Sequence, residues 1–307
     1  MKTYIMEPMP ELFWQQIRER NLTEYFTEVD DPNVEIIIIR TKVQFDKALF
    51  EKYSKLKMII RAGSGFDNID VKEAGNRDVA VCNTPEANAF SAYEHTIAMI
   101  LALIKNLQTG KKEILANNWK SLHPDNWEIA DLRVLVVGLG RVGTRVANVL
   151  KYLGAEVRAV DPYLSKKEWE ERAISPIHYI EGLKWCNMIT YHCPLFEETY
   201  HYFNHAVLTE IENPIWLANV ARGGIVDYEA VKKGLGNGQL LGVGMDVFEQ
   251  EPWCADSLAA DSRIYITPHT GAFTKAAKNR MSIETIDVWN RFVFDDLILT
   301  PVDGKFI

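Results

Sequence analysis

One stretch, residues 132–161, constrains the fold of this chain more than any other. It opens with an apolar, β-branched run at residues 134–137, the pattern of a strand that is buried on both faces. Three glycines follow as G-x-G-x-x-G, at Gly138, Gly140 and Gly143. The first allows a tight turn, the second lets the backbone approach a pyrophosphate, and the third lets the next helix pack closely on the strand. The stretch therefore predicts a β-α-β unit with a nucleotide site.

The second half of the same stretch indicates which nucleotide. Apolar residues recur at helical spacing as far as Gly154, and a second strand at residues 157–160 leads to Asp161. A carboxylate at this point can accept both hydroxyls of an adenosine ribose and would repel a 2′-phosphate. No arginine follows in residues 162–164 to receive such a phosphate. We therefore expect NAD as the cofactor, and prefer this interpretation to a purely structural glycine turn.

Composition bounds the remaining possibilities. The chain has 307 residues, enough for two domains, and a hydrophobic share of 47% that is normal for a globular core. A net charge of −8 gives no footprint for nucleic acid or for an anionic membrane. The longest apolar run, residues 97–104, is far too short to span a bilayer, and the N-terminus lacks the layout of a signal peptide.

The cysteines are scattered, without a C-x-x-C pair. Such spacing in an acidic α/β chain predicts reduced thiols in the cytoplasm, and no disulfide framework or metal site. Cys193 follows His192, a pairing that could indicate a nucleophile, but a half-buried thiol at a strand end explains it better. The four positions are Cys82, Cys186, Cys193 and Cys254.

The chain before the glycine loop alternates between strand and helix, which predicts a parallel sheet. Its loop at residues 61–67 carries two glycines after a strand, a shape suited to presenting backbone N–H groups to an anion. Aromatic residues between 105 and 131, among them Trp119, His123 with Pro124, and Trp127, could cover a core edge or a subunit contact. The predicted strands are 3–6, 35–39, 56–60 and 79–82, and the predicted helices are 11–20, 43–53 and 87–107.

Side chains able to do chemistry follow the predicted strands of the second half. Ligands of open parallel sheets bind at the carboxyl ends of strands, and random placement would scatter such residues over helices and turns. The residues that fall at these strand ends are Asp161, His192, Arg222, Asp246 and His269.

Arg222 and His269, together with Glu251, form a candidate catalytic set. Taken singly, Arg222 could make a structural ion pair, Glu251 could be a solvated loop acid, and His269 a hydrogen-bonded core histidine. Jointly they suit hydride transfer to a carbonyl group. The carboxylate would orient the imidazole and favour its protonated form, which gives a proton to the carbonyl oxygen. The guanidinium would bind the carboxylate of the substrate with its two-pronged donor set.

With these residues in place, the chain resembles the D-2-hydroxyacid dehydrogenase family over nearly its whole length. The fold that this resemblance implies is α/β with two domains, a Rossmann-type doubly wound parallel sheet inserted into a flavodoxin-like α/β substrate domain. The expected boundaries are 1–98 and 280–307 for the substrate domain and 99–279 for the NAD-binding domain, with a last helix near 274–292. The matching segments are RAGSGFDNID (61–70), NTP (83–85), GLGRVG (138–143), VDP (160–162), HCPL (192–195), NVARGGIVD (219–227), DVFEQEP (246–252) and TPH (267–269).

The same resemblance assigns roles. It implies that Arg222, Glu251 and His269 are catalytic, that Asp246 supports the nicotinamide side, and that the protein is a homodimer built on the cofactor domains. The substrate carboxylate would meet the loop of Ala62, Gly63, Ser64 and Gly65. The residues expected to contact the cofactor are Gly138, Gly140, Arg141, Val142, Gly143, Asp161, His192, Cys193, Pro194, Ala221 and Asp246.

Several points leave the substrate open. Glu86 replaces a glycine that many relatives carry after NTP, and Phe273 replaces a small hydroxyl residue. Arg40 and Arg61 each follow an apolar strand and could bind a phosphate at the far end of a substrate, which favours 3-phosphoglycerate. Either arginine could instead make a structural ion pair or touch solvent.

Three alternative functions are glyoxylate/hydroxypyruvate reductase, formate dehydrogenase, and an NAD-sensing binding protein like the C-terminal-binding corepressors. Formate dehydrogenases usually have a longer N-terminal region. The binding role is disfavoured because the sequence stops at Ile307, soon after its expected last helix.

Overall fold

The structure is a computed structural model that describes residues 1–119, 126–254 and 257–302. The chain forms two compact units. We call Met1–Ser91 with Phe273–Ile307 the discontinuous unit, and Ala92–Ala272 the central unit. No helix of the described residues is long and apolar enough to cross a membrane.

Strands and helices alternate along most of the chain. The strands are β1 (Thr3–Ile5), β2 (Phe26–Thr27), β3 (Ile36–Ile39), β4 (Met58–Arg61), β5 (Ala80–Asn83), β6 (Arg133–Val137), β7 (Glu156–Val160), β8 (Ser175–Pro176), β9 (Met188–Tyr191), β10 (Ile215–Asn219), β11 (Leu240–Met245) and β12 (Ile264–Ile266). The helices are α1 (Glu11–Glu19), α2 (Lys47–Lys52), α3 (Val71–Asn76), α4 (Ala89–Ile104), α5 (Leu107–Leu115), α6 (Arg141–Tyr152), α7 (Lys166–Arg172), α8 (Tyr179–Trp185), α9 (His205–Glu210), α10 (Tyr228–Gly236) and α11 (Lys275–Asp295).

The discontinuous unit contains a five-stranded parallel sheet in the order β2-β1-β3-β4-β5. This order, 2-1-3-4-5, is that of flavodoxin-like folds. The four isoleucines of β3 are fully buried because successive side chains point to opposite faces of the sheet, and each face is covered. The short strand β2 and helix α3 were not among the predicted elements.

The central unit contains a seven-stranded parallel sheet in the order β12-β11-β10-β9-β6-β7-β8. Numbered within the unit, the first six strands follow the Rossmann order 3-2-1-4-5-6, and β12 adds one strand at the edge. In β6, Val134 and Val136 pack into one core and Leu135 and Val137 into the other. The predicted fold class, two α/β domains with a Rossmann-type sheet inserted in a flavodoxin-like one, is confirmed.

The boundaries of the two units lie at 91/92 and 272/273, whereas the sequence placed them at 98/99 and 279/280. The difference has a packing cause at both ends. Tyr93 and Ile97 of α4 already pack against the core of the central unit, so this helix joins it from its second turn. At the other boundary, α11 packs into the core of the discontinuous unit along its length, and residue 279 lies inside that helix.

The segment of scattered aromatic residues divides into two parts. Trp127 packs against the core of the central unit, in agreement with the predicted role of covering an edge of the core. Trp119 is 76% exposed, together with apolar residues of α5. His123 and Pro124 lie outside the described residues.

Candidate active site

The three glycines of the loop between β6 and α6 differ in the space around them. Gly138 has a φ of +90°, and a Cβ there would lie 2.6 Å from the backbone nitrogen of Cys193. A Cβ on Gly143 would lie 2.0 Å from the carbonyl oxygen of Gly138. By contrast, a Cβ on Gly140 would meet nothing within 4 Å. Packing within the protein therefore requires glycine at positions 138 and 143, whereas Gly140 borders open space.

That open space lies at the N-terminus of α6. Gly140 is the N-cap residue and supplies no side-chain cap, so the first-turn N–H groups of the helix, which include those of Arg141 and Val142, can receive an anion. These groups fit the pyrophosphate of a dinucleotide.

The side chain of Asp161 holds the glycine loop. Its Oδ2 accepts a hydrogen bond of 2.8 Å from the backbone N–H of Leu139, and its Oδ1 accepts one of 3.1 Å from Tyr163. Arg172 donates to the carbonyl oxygen of the same Leu139, at 3.1 Å. Because each carboxylate oxygen can accept two hydrogen bonds, Asp161 keeps acceptor capacity for a ribose.

The loop after β9 abuts the glycine loop. His192 donates its backbone N–H to Val137 at 2.7 Å, and its Nε2 lies 2.9 Å from the hydroxyl of Thr190. Desolvation of this partly buried ring lowers the pKa of His192 to about 3, so the ring is neutral near pH 7. Burial likewise raises the pKa of Cys193 to about 12, which removes the thiolate that a nucleophile needs. The four cysteines are unpaired.

His269 and Glu251 are brought into direct contact. Nδ1 of His269 lies 2.7 Å from Oε2 of Glu251, and Oε1 of the same carboxylate accepts a hydrogen bond of 3.0 Å from the backbone N–H of Phe248. The ionised carboxylate can only accept, so Nδ1 carries a proton and Nε2 is left for a reacting group. The pair is partly open, with 47% of the histidine side chain and 36% of the glutamate side chain exposed.

Asp246 holds the loop that carries His269. Its side chain is 1% exposed and accepts three hydrogen bonds, from the hydroxyl of Thr267 at 2.5 Å and from the backbone N–H groups of Thr270 and Gly271, both at 2.8 Å. Its own carbonyl oxygen accepts the backbone N–H of His269 at 2.7 Å. These bonds fix His269 in a left-handed conformation, with φ of +53°.

The charge state of Asp246 follows from the same contacts. Burial alone would raise the pKa of this carboxyl group. The interaction with the imidazole of His95, followed by the hydrogen bonds from Thr267, Gly271 and Thr270, outweighs burial and keeps its pKa below the ordinary 3.8. The resemblance assigned Asp246 to the nicotinamide side, and the structure adds a role that the sequence did not indicate, as the anchor of the histidine loop.

Arg222 follows β10 on the same edge of the sheet. In the strand register Asn219 lies beside Met245, which lies beside Ile266, so the loops that follow these three strands leave the sheet at one level. Arg222 donates from Nη1 to the carbonyl oxygen of Ala221 at 2.7 Å. A Cβ on Gly223 would lie 1.9 Å from the carbonyl carbon of Phe248, so the arginine loop packs directly against the loop that carries Glu251.

A cavity of about 480 Å³ adjoins the Glu251–His269 pair on the central unit. Two chain segments line it, the one that follows Asp246 and the one that ends β12. The rings of Phe248 and Trp253 stack there with centroids 4.5 Å apart. Its lining residues are Phe248, Glu251, Pro252, Trp253, Ile266, Thr267, Pro268 and His269.

The expected substrate loop, residues 62–65, belongs to the discontinuous unit. Gly63 has a φ of +140°, and its N–H donates to the hydroxyl of Thr84 at 2.6 Å. The side chain of Asn83 donates to the carbonyl oxygen of Ser64 at 2.7 Å. The NTP segment therefore holds this loop in shape, with Ala62 and Gly65 buried and Ser64 partly exposed.

The two additional arginines lie in the same unit. Arg61 is only 8% exposed, and its guanidinium packs across Gly63, where an added Cβ would lie 1.7 Å from Nη1. The guanidinium of Arg40 donates to the carbonyl oxygen of Pro8 at 3.0 Å.

The two departures from the family pattern also lie in this unit. The N–H of Glu86 donates to the side chain of Glu284 at 3.4 Å. Phe273 is 63% exposed, with the ammonium group of Lys278 3.8 Å from its ring centroid.

Comparison with known proteins gives consistent results. The sequence model of a family described as "D-isomer specific 2-hydroxyacid dehydrogenase, NAD binding domain" matches residues 97–271. D-3-phosphoglycerate dehydrogenase of Bacillus subtilis is 32% identical over 273 residues, which cover 89% of this chain and 52% of that protein. The protein of the same name from Mycobacterium leprae is 34% identical over 83% of this chain and 48% of its own length. The chain therefore spans about half the length of these curated relatives.

A solved structure agrees over nearly the whole chain. D-lactate dehydrogenase from Aquifex aeolicus, complexed with NAD and lactic acid, has a TM-score of 0.85 at 26% identity and covers 96% of both chains.

Proposed function

The chain belongs to the family of D-isomer specific 2-hydroxyacid dehydrogenases, and we propose that it interconverts a small 2-oxo acid and the corresponding D-2-hydroxy acid with NAD(H). The observation that carries this proposal is the 2.7 Å contact between His269 and Glu251. The pair stands at the carboxyl edge of the sheet whose glycine loop fits a dinucleotide. An imidazole with one nitrogen held by a carboxylate is a general acid and base, and so supplies the proton that a carbonyl reduction needs.

Each group of the site then has one task. NADH, when bound at the glycine loop and Asp161, supplies the hydride that reduces the carbonyl carbon. Nε2 of the protonated His269 gives its proton to the carbonyl oxygen, and the Glu251 carboxylate stabilises the imidazolium before that transfer. Arg222 offers paired N–H donors to the substrate carboxylate, which orients the carbonyl group. In the reverse direction the neutral imidazole takes the proton from the hydroxyl group.

We propose 3-phosphoglycerate and its 2-oxo counterpart, 3-phosphohydroxypyruvate, as the first substrates to test, with glyoxylate and hydroxypyruvate next. The support is that relatives about one-third identical are named D-3-phosphoglycerate dehydrogenase. Arg40 and Arg61 are the proposed phosphate partners. Since Arg61 is buried and Arg40 is bound to Pro8, this part of the proposal requires that at least one guanidinium gives up its present contact for the ligand.

The test is a screen of 2-oxo acids for NADH oxidation, in which hydroxypyruvate is compared with its phosphate ester. We expect the ester to have the higher kcat/KM in the wild type, and Arg40→Ala or Arg61→Ala to reduce that advantage. The phosphate assignment fails if the ester has no advantage, or if neither substitution changes it. The dehydrogenase proposal fails if no 2-oxo acid supports NADH oxidation.

Cofactor preference belongs to the same proposal. We expect NADH to be preferred over NADPH because the Asp161 carboxylate would repel a 2′-phosphate. The matching variant is Asp161→Ala, which we expect to narrow the ratio of the two kcat/KM values. A wild-type preference for NADPH would contradict this assignment.

We also propose a cytoplasmic homodimer. The four unpaired thiols favour a reducing compartment. The apolar surface of α5 favours self-association, because several of its side chains and a neighbouring tryptophan are largely exposed. These are Leu107 (60%), Ile114 (60%), Leu115 (74%) and Trp119 (76%).

A further inference from the structure

We infer that His95, on α4, is a positioning residue for His269: its Nε2–H group completes the hydrogen-bond chain that fixes the loop carrying the catalytic imidazole. The inference rests on the proposed function, because it concerns the geometry of the same proton donor. His95, Thr267, Asp246 and His269 all belong to the central unit.

Close packing of α4 on β11 brings His95 to this place. Gly244 of β11 has no side chain, and a Cβ there would lie 2.5 Å from Cγ of Met99. His95 precedes Met99 by one helical turn and therefore shares its face of the helix. Asp246 follows Gly244 by two residues and shares its face of the strand. The helix face and the strand face that meet at Gly244 and Met99 therefore also bring His95 beside Asp246.

A second glycine keeps this approach open. A Cβ on Gly271 would lie 2.8 Å from Oδ2 of Asp246 and 3.3 Å from Cδ2 of His95. The loop after His269 thus packs against both side chains at once, and a larger residue at position 271 would push them apart.

The direction of each hydrogen bond in this cluster is determined. The ionised Asp246 can only accept, so the Thr267 hydroxyl uses its single hydrogen to donate to Oδ1, at 2.5 Å. The 3.0 Å contact between Thr267 Oγ1 and His95 Nε2 must then have the imidazole as donor. Nε2 also lies 3.5 Å from Oδ1 of Asp246. His95 therefore carries its hydrogen on Nε2, and the chain runs from His95 to Thr267 to Asp246.

This chain continues to the catalytic residue. Asp246 binds the N–H groups of Thr270 and Gly271 through its side chain and that of His269 through its carbonyl oxygen. Thr267, whose hydroxyl accepts the hydrogen bond from His95, lies two residues before His269. Loss of the His95 donor would free Thr267 and Asp246 to rotate, and the imidazole would lose part of its alignment with Glu251 and with the substrate. Because proton transfer is sensitive to displacements of about 1 Å, we expect turnover to fall while ligand binding is retained.

The experiment compares His95→Leu, which removes the donor, with His95→Gln, whose amide N–H can replace the imidazole N–H at a similar reach. Thr267→Val breaks the next link of the chain. His205→Leu, at the exposed start of α9, is the control. Each variant is assayed for kcat and KM with the best 2-oxo acid of the screen, for NADH affinity by fluorescence titration, and for the pH dependence of kcat.

We expect His95→Leu and Thr267→Val each to lower kcat by about tenfold, with the NADH dissociation constant within about twofold of the wild type. Combining them should add little to either alone, because both act on one chain. The alkaline limb of the kcat profile should move to lower pH, since a less well aligned Glu251 stabilises the imidazolium less. His95→Gln should restore both kcat and the profile, and His205→Leu should change neither.

Wild-type kcat in both His95→Leu and Thr267→Val overturns the inference. So does a loss of kcat that His95→Gln fails to restore, or an equal loss of NADH binding, which would show only a general structural role. If His95→Leu does not fold, Thr267→Val and His95→Gln still decide the matter. Failure of the proposed function is seen separately, as full activity in His269→Ala.

Discussion

The two sheets of this molecule offer the same kind of crevice and use it differently. In each sheet the strand order reverses beside the first strand of the unit, the point at which open α/β sheets bind ligands. In the central unit that point lies between β6 and β9, and Gly140 borders open space there. In the discontinuous unit it lies between β1 and β3, and a side chain of the protein occupies it.

That side chain is Glu7, which is 7% exposed. Its carboxylate accepts the backbone N–H groups of Arg40 at 2.5 Å and of Lys42 at 2.9 Å. Asn68 binds the carbonyl oxygens of the same loop, at Arg40 and Val43. The backbone N–H groups that could have bound an anionic ligand therefore already bind the carboxylate of Glu7. A fold-level rule therefore locates a possible site, and only the side chains at that point decide whether it is available.

The largest effect expected from this comparison is on His269, in the unit with the open crevice. His269→Ala should lower kcat by roughly 10²- to 10⁴-fold, the range for loss of a general acid and base, or about 3–5 kcal/mol of transition-state stabilisation. NADH affinity and thermal stability should stay close to the wild type, because the side chain is about half exposed. Steady-state kinetics and an NADH titration measure both, and near-full activity would remove His269 from the mechanism.

Glu7, in the unit with the filled crevice, should show the opposite pattern. Glu7→Ala leaves buried N–H groups without an acceptor, at a cost of about 3 kcal/mol in the stability of this unit. We expect faster hydrogen exchange at the amides of Arg40 and Lys42, with unchanged NADH affinity. Glu11→Ala, an exposed acid of the same unit, is the matched control and should change exchange little. A loss of NADH affinity without faster exchange would mean that the two crevices do not differ as described.

A smaller effect concerns acid stability near the open crevice. The pKa of His192 is lowered from 6.5 to about 3 by desolvation, so between these values the unfolded chain binds a proton that the folded one does not. The free energy of unfolding therefore carries no penalty from His192 above pH 6.5. Below that pH it decreases, by about 2 kcal/mol at pH 5, because the unfolded chain gains a proton on this ring. The variant His192→Gln should lose less stability between pH 7 and pH 5, in denaturant titrations, than the wild type or His205→Gln. Equal losses in all three would show that His192 is not the group responsible.

Much of this molecule could be predicted from its sequence. The glycine loop, the parallel order of the central sheet and the strand-end placement of Arg222, Asp246 and His269 follow from local patterns that repeat along the chain. The structure brings Glu251 and His269 into contact at 2.7 Å, although the two lie 18 residues apart in sequence.

What the sequence could not show depends on tertiary packing. Glu7 lies in an unremarkable N-terminal segment, and its partners are 33 and 35 residues away. His95 lies between Glu94 and Thr96 on α4, and only the approach allowed by Gly244 makes it a neighbour of Asp246. The one signal available for His95 was a titratable side chain one helical turn before Met99, next to the apolar run at residues 97–104.

The most direct test of the central claim, that His269 held by Glu251 carries the proton, is the pH dependence of kcat/KM in both directions. Reduction needs the imidazolium and oxidation needs the neutral ring, so reduction should fade toward alkaline pH and oxidation toward acid pH, with opposite limbs near a common midpoint. Glu251→Gln should move that midpoint to lower pH in both directions, because the amide cannot stabilise the imidazolium as a carboxylate does. Profiles that run parallel in the two directions would contradict the claim.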